Sequence, residues 1–258
     1  MAPSTAAPRG DRADRARRPR GALHVRPRAL RRPQRAWYST AHEPGRGRRL
    51  VSHGVVPDRI AEGTRVGIAP LARALARVGV TANAVTLFGA ALTIVGGALI
   101  ALDQPLAALV ALLVGTASDT LDGAIARATG GGSRLGAFLD STADRLADAA
   151  IFGGTAALGF ALGFGLLFWS GLAGLVASSL VPYVRAKAES LGAAATVGPA
   201  PREARVVVLL LGLAAWALFG ENELYLIAVA AVAALALVTF VQRVAVTARA
   251  LDHTKEGA

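Results

Sequence analysis

From about residue 83 onward the chain alternates long apolar runs with short charged breaks. Six runs stand out, at about Asn83–Leu102, Pro105–Arg127, Gly136–Leu162, Gly165–Ala186, Arg205–Phe219 and Leu224–Arg243. Most reach the roughly 20 residues that a helix needs to cross a bilayer. The fifth is short and gains length if it starts nearer Arg202. A different pattern precedes them, over Asp58–Val80. At roughly 100° per residue, Arg65, Arg73 and Arg77 fall on one side and Ile68, Leu71, Leu75 and Val78 on the other, with a kink expected at Pro70. Such a helix lies along a membrane surface with its arginines outward. The pattern therefore predicts an all-α polytopic membrane protein, with six transmembrane helices preceded by an amphipathic juxtamembrane helix.

Composition supports this: 53% of the 258 residues are hydrophobic, which excludes one large soluble domain. No cysteine is present, so disulfide frameworks and thiol chemistry are excluded. Residues 1–57 follow neither pattern and read as a disordered basic extension, leaving 58–258 as the membrane domain. The first fifty residues hold fourteen arginines against Asp11, Asp14 and Glu43, which accounts for the whole net charge of +11. The basic excess thus belongs to the extension and not to the fold. An extension of this kind suits anionic lipid headgroups. It carries no motif, so it is read as poorly constrained, and no nucleic-acid partner is expected. Beyond it, Lys and Arg gather around Arg127–Arg145, Arg185–Arg205 and Arg243–Lys255, whereas the opposite turns hold Asp103, Glu221 and Glu223. By the positive-inside rule both termini face the cytoplasm of a cell-membrane protein.

Candidate chemistry concentrates between Ser118 and Arg145. Asp119 and Asp122 are spaced i,i+3, and Asp140 and Asp144 i,i+4, so each pair shares one helix face. Two helices joined by the loop Ala128–Leu135 run antiparallel, and the pairs can face each other. Carboxylates beside apolar spans are costly and mark function, although capping or a polar bundle lining would also use aspartates. Four of them around one volume need cations. Hard oxygen donors suit two Mg²⁺ ions, or Mn²⁺, and such a pair suits phosphoryl transfer. Gly130–Gly132 allow close backbone approach to a ligand. Gly123 and Gly136 leave room beside Asp122 and Asp140, and Gly123 also fits close helix packing. On the same side, Arg185, Lys187, Arg202, Arg205 and Arg243 ring the mouth of the bundle. A basic set of this kind suits a ligand that itself carries phosphate.

The residues read D-x-x-D-G-x-x-A-R-x8-G-x-x-x-D-x-x-x-D, filled by Asp119, Asp122, Gly123, Ala126, Arg127, Gly136, Asp140 and Asp144. This resembles the signature of the CDP-alcohol phosphatidyltransferases. The resemblance implies Asp119, Asp122 and Asp140 as metal ligands, with Asp144 as general base beside the second metal. It implies CDP-lipid binding by Thr81, Asn83, Thr86, Gly123, Arg127, Ser133 and Gly136. The first three sit in VGVTANAVTLFG, where Ala82 replaces the family's usual Pro and Thr81 or Asn83 also suits a helix cap. The stretch from about Arg59 to Arg249 is similar in particular to the bacterial phosphatidylinositol phosphate synthases. That likeness rests on GGGSRLGAFLDSTADRLADAAIFGG, on Tyr183–Glu189, on Arg202/Arg205 and on Gln242-Arg243. In that group the basic residues hold inositol phosphate. The chain departs in having Arg185 before Lys187, where Lys then Arg is usual, and Pro201 where Glu is usual. The resemblance implies CDP-diacylglycerol and inositol phosphate as substrates, CMP release, contact with membrane lipids and a homodimer. Glycerol 3-phosphate is the alternative acceptor. An ion transporter fits less well, since its acids would be spread across the bilayer rather than gathered at one edge.

Overall fold

In the computed structural model, which describes residues 58–199 and 201–253, the described residues form seven α-helices and no strand. These are α1 (Asp58–Arg77), α2 (Ala82–Ala101), α3 (Pro105–Ala128), α4 (Arg134–Ala161), α5 (Gly165–Ser190), α6 (Arg202–Phe219) and α7 (Asn222–His253). The basic extension expected over 1–57 lies outside the described residues. Each apolar run has become a helix, and α6 does begin at Arg202. Local chemistry sets the ends. The Thr81 hydroxyl accepts from the Ala84 amide at 3.2 Å and caps α2. Pro105 opens α3, where an amide hydrogen would find no partner. Ser133 accepts from the Gly136 amide at 2.9 Å and caps α4.

The protein is a membrane protein: α2, α3, α5 and residues 222–252 of α7 are long and apolar enough to span a bilayer. Helices α4 and α6 fall short of that composition because they carry charge. Arg134, Asp140, Asp144, Arg145 and Asp148 lie along the first half of α4, and Arg202, Glu203 and Arg205 open α6.

Helix α1 packs through part of its apolar side. Its packed stripe is Ile68, Ala72, Leu75 and Ala76, set against Val85, Leu121, Ala124 and Ile125. Leu71 and Val78, on the same apolar side, stand outside that stripe and are 54% and 76% exposed. The fully buried Ala72 has a small side chain that lets α1 approach α3 closely.

The main core joins helices α2 to α7 through residues such as Ile100, Leu112, Phe152, Leu167, Leu213 and Val229. On α3 and α4 these lie far along the helices from the aspartates, so one end of the bundle is packed and the other is left for polar chemistry. Within the core the Thr155 and Tyr225 hydroxyls satisfy each other at 2.5 Å. Helix α2 meets α4 through glycine. A Cβ on Gly97 would lie 2.2 Å from the Ala150 carbonyl oxygen, and one on Gly154 would lie 2.0 Å from that of Gly97. Small residues bring membrane helices together in this way. Gly97→Ala is therefore expected to lower the thermal midpoint in detergent, with a cost of about 1–3 kcal/mol, as for overpacked cores. An unchanged midpoint would mean that the two backbones do not cross so closely.

Candidate metal and phosphate site

Helices α3 and α4 form an antiparallel hairpin whose connection is only residues 129–133. Gly130 and Gly131 take φ of 103° and 108°, a region that disfavours any residue with a side chain. The Gly131 amide donates to the Ala126 carbonyl at 2.8 Å and closes the end of α3. The tight turn brings the carboxylates of the two helices together. Asp119, Asp140 and Asp144 each offer one oxygen, and these oxygens lie within 4.8 Å of one another. Asp122 is not in this trio. It is buried, and the Thr86 hydroxyl donates to its carboxylate. Three converging carboxylates with only oxygen donors suit a hard divalent cation such as Mg²⁺ or Mn²⁺.

Beside the trio opens a cavity of about 570 Å³. Thr81, Asn83, Thr86, Gly123, Ser133 and Gly136 all line it, together with Asp119, Asp122 and Asp140. These are the residues expected around the CDP-lipid, apart from Arg127, which is exposed just outside. Gly123 does not serve helix packing: a Cβ there would meet only the Arg127 Nη1, at 3.3 Å. At Gly136 a Cβ would press on the Asn83 Oδ1 at 3.1 Å and the Ser133 Oγ at 3.2 Å, crowding the cavity wall. A smaller cavity of about 50 Å³ lies on the other side of Asp119, bounded by Thr93, Thr116, Asp144 and Arg202.

The basic residues sort into three environments. Arg202 and Arg205 point inward. The Arg202 Nη1 lies 2.7 Å from the Asp144 Oδ1, and its Nε lies 3.4 Å from the Asp148 Oδ1. Arg205 is only 9% exposed, and its Nε has no hydrogen-bond partner. Arg243 is partly buried and tied to the backbone, donating to the carbonyls of Val197 at 2.9 Å and Val181 at 3.0 Å. Arg185 and Lys187 are exposed, and Arg185 pairs at 2.9 Å with the equally exposed Glu189. Arg185 and Arg205 are both within electrostatic reach of Arg243.

Two residues here were not singled out from the sequence. Arg145 reaches the Asp144 Oδ2 at 3.5 Å, so that carboxylate faces a guanidinium on each side. Asp148 is 7% exposed and lies one turn beyond Asp144 on the same face of α4. Its i,i+4 spacing was the available signal, and an acid beside an apolar run is suspect by default.

The chain matches the CDP-alcohol phosphatidyltransferase family over residues 79–247. It is 38% identical over 176 residues to the archaetidylinositol phosphate synthase of Pyrococcus horikoshii, spanning 67% of this chain and 87% of that protein. It is also 38% identical over 178 residues to the phosphatidylinositol phosphate synthase of Mycobacteroides abscessus, spanning 67% of this chain and 80% of that one. The crystal structure of Mycobacterium tuberculosis phosphatidylinositol phosphate synthase with CDP-DAG bound is similar at a TM-score of 0.65 and 31% identity, covering 70% of this chain and 92% of that chain. The same enzyme in complex with manganese and citrate gives 0.64 at 31% identity, covering 70% and 88%.

Proposed function

This chain belongs to the CDP-alcohol phosphatidyltransferase family, and on that premise we propose that it transfers the phosphatidyl group of CDP-diacylglycerol to inositol 1-phosphate, giving phosphatidylinositol phosphate and CMP. The observation that carries this reading is the meeting of three carboxylates from α3 and α4, two of them at the edge of a cavity of about 570 Å³ and the third paired with Arg202 of α6. The donor nucleotide fits that cavity, where Thr81, Asn83, Ser133 and Gly136 form the wall and the glycine turn lies along one rim. Arg127, just outside, neutralises phosphate charge. The acceptor fits the arginine side, where its phosphomonoester meets Arg202, Arg205 and Arg243, with Arg185 and Lys187 at the outer margin.

Asp119, Asp122, Asp140 and Asp144 are the residues that would hold divalent cations, two Mg²⁺ or Mn²⁺ ions. The oxygen-only donor set and the manganese complex of the related enzyme support this. Bound there, the metal neutralises the pyrophosphate and polarises the phosphoryl group under attack. Asp144 takes the proton of the acceptor hydroxyl. The hydroxyl oxygen bonds to the β-phosphorus, the bond from that phosphorus to CMP breaks, and CMP leaves with the electron pair. In this reading residues 58–258 form the catalytic membrane domain, with α2 to α7 as six spans and α1 at the surface. The grouping of basic residues at the aspartate end supports a cytoplasmic active site.

The test is CMP release by the purified enzyme in CDP-diacylglycerol micelles. Inositol 1-phosphate should drive turnover, EDTA should abolish it, and Mg²⁺ or Mn²⁺ should restore it. Free inositol should be a poor acceptor, because it leaves the arginines unpaired. Equal use of free and phosphorylated inositol would defeat the phosphate pocket. A preference for glycerol 3-phosphate in direct competition would keep the pocket and reject the inositol acceptor.

A further inference from the structure

Asp148 belongs neither to the carboxylate trio nor to the lining of the two cavities beside it. It is nevertheless 7% exposed at the charged end of the bundle, where a lone carboxylate is costly to bury. Its neighbours account for it. The Arg202 Nε lies 3.4 Å from the Asp148 Oδ1, while the other end of the same guanidinium reaches Asp144 at 2.7 Å. Arg205, one turn further along α6, is 9% exposed and has Asp148 as its strongest charged neighbour. One buried carboxylate on α4 thus pairs with Arg202 of α6, and Arg205 lies one turn along the same helix. Arg205 is repelled by Arg202 and by Arg145. Without Asp148 the two guanidinium groups would repel within a confined space and lose their fixed aim.

We propose that Asp148 is a positioning residue for the acceptor, a buried counter-ion that holds Arg202 beside Arg205 so that together they receive the acceptor's phosphomonoester. This rests on the reading of those arginines as the acceptor-phosphate wall. An anchored guanidinium keeps its remaining N–H groups directed at one point and loses less rotamer freedom when the anion arrives. Asp148 touches neither substrate nor metal, and so it acts on the KM of the acceptor and not on the chemical step.

The experiment uses the full-length enzyme in detergent, with Asp148→Asn, Asp148→Glu, Arg202→Gln and the Asp148→Asn/Arg202→Gln pair. Asp148→Asn should raise the KM for inositol 1-phosphate about tenfold or more, as for loss of a charged hydrogen bond. The KM for CDP-diacylglycerol and the Mg²⁺ requirement should stay within about twofold. Asp148→Glu keeps the charge but shifts it by a methylene, so it should fold even where Asp148→Asn does not, and should raise the same KM by about threefold. Added to Arg202→Gln, Asp148→Asn should cost much less than it does alone, because its partner is already gone. Folded variants with an unchanged acceptor KM, or equal changes for both substrates, would overturn the proposal. So would full multiplication of the two single effects. A wild-type enzyme that rejects inositol 1-phosphate would refute the acceptor reading separately. The ratios would then be taken with glycerol 3-phosphate, whose phosphate meets the same arginines.

Discussion

Asp144→Asn is expected to lower transfer by at least a hundredfold, within the 10²–10⁴-fold range typical of proton-transfer catalysis, while leaving CDP-diacylglycerol binding largely in place. Asp144 sits at the junction of the two halves of the site. One side belongs to the oxygen trio with Asp119 and Asp140. The other faces Arg202 at 2.7 Å and Arg145 at 3.5 Å. The asparagine keeps the size of the side chain but cannot accept a proton at neutral pH. Donor binding depends mainly on the cavity that Asp122, Gly136 and Asp140 line, which the substitution does not reach. The measurement is initial-rate CMP release beside equilibrium binding of the nucleotide lipid, with thermal midpoint as the control for folding. More than about a tenth of wild-type turnover in a folded variant would remove Asp144 from the role of base.

The second large effect concerns the acceptor arginines, and the structure ranks them. Arg205→Ala should reduce kcat/KM for inositol 1-phosphate by roughly ten- to a hundredfold, since hydrogen bonds to charged groups are worth about 1.5–3 kcal/mol. The KM for CDP-diacylglycerol should move little. Arg205 is 9% exposed and its Nε is unpaired, so it is a cation held in readiness. Arg185→Ala should cost only a few-fold, because Arg185 is exposed and already spends its charge on the exposed Glu189 at 2.9 Å. Exposed ion pairs and the groups that make them contribute little. A reversed ranking, with Arg185 the more damaging loss, would place the acceptor at the outer margin rather than against α6.

Much of this was legible in the sequence, and the reasons are physical. The aspartate spacing works at short range, because residues three or four apart on a helix must share a face. A hairpin with a connection of residues 129–133 leaves two such faces little choice but to meet. The helices were legible from their apolar runs, and two of their starts from Thr81 and Pro105. What escaped depends on long-range register. The sequence offers Gly97, Gly123, Gly154 and many other glycines alike. Only the crossing of α2 and α4 shows that Gly97 and Gly154 serve backbone contact while Gly123 faces a cavity. Five basic residues likewise looked equivalent, yet Arg205 is buried and Arg185 is not. On α1, periodicity weighs large apolar side chains most heavily, whereas the packed stripe centres on the small Ala72. Asp148 lies one turn beyond the last aspartate of the D-x-x-x-D pattern, so no motif marks it.

The charge carried by α4 also bears on how the protein reaches the bilayer. Residues are delivered to the membrane in chain order, and α4 emerges with Asp140, Asp144 and Asp148 before α6 exists. Of these, Asp144 and Asp148 find their cross-helix partner in Arg202, a residue made only after α5 and the linker beyond it. Until then α4 is a reluctant insertant, with its apolar second half drawn inward and its acidic first half held to water. The arrival of α6 is what lets the acidic half settle. A substitution at Arg202 should therefore reduce the yield of inserted protein as well as its turnover.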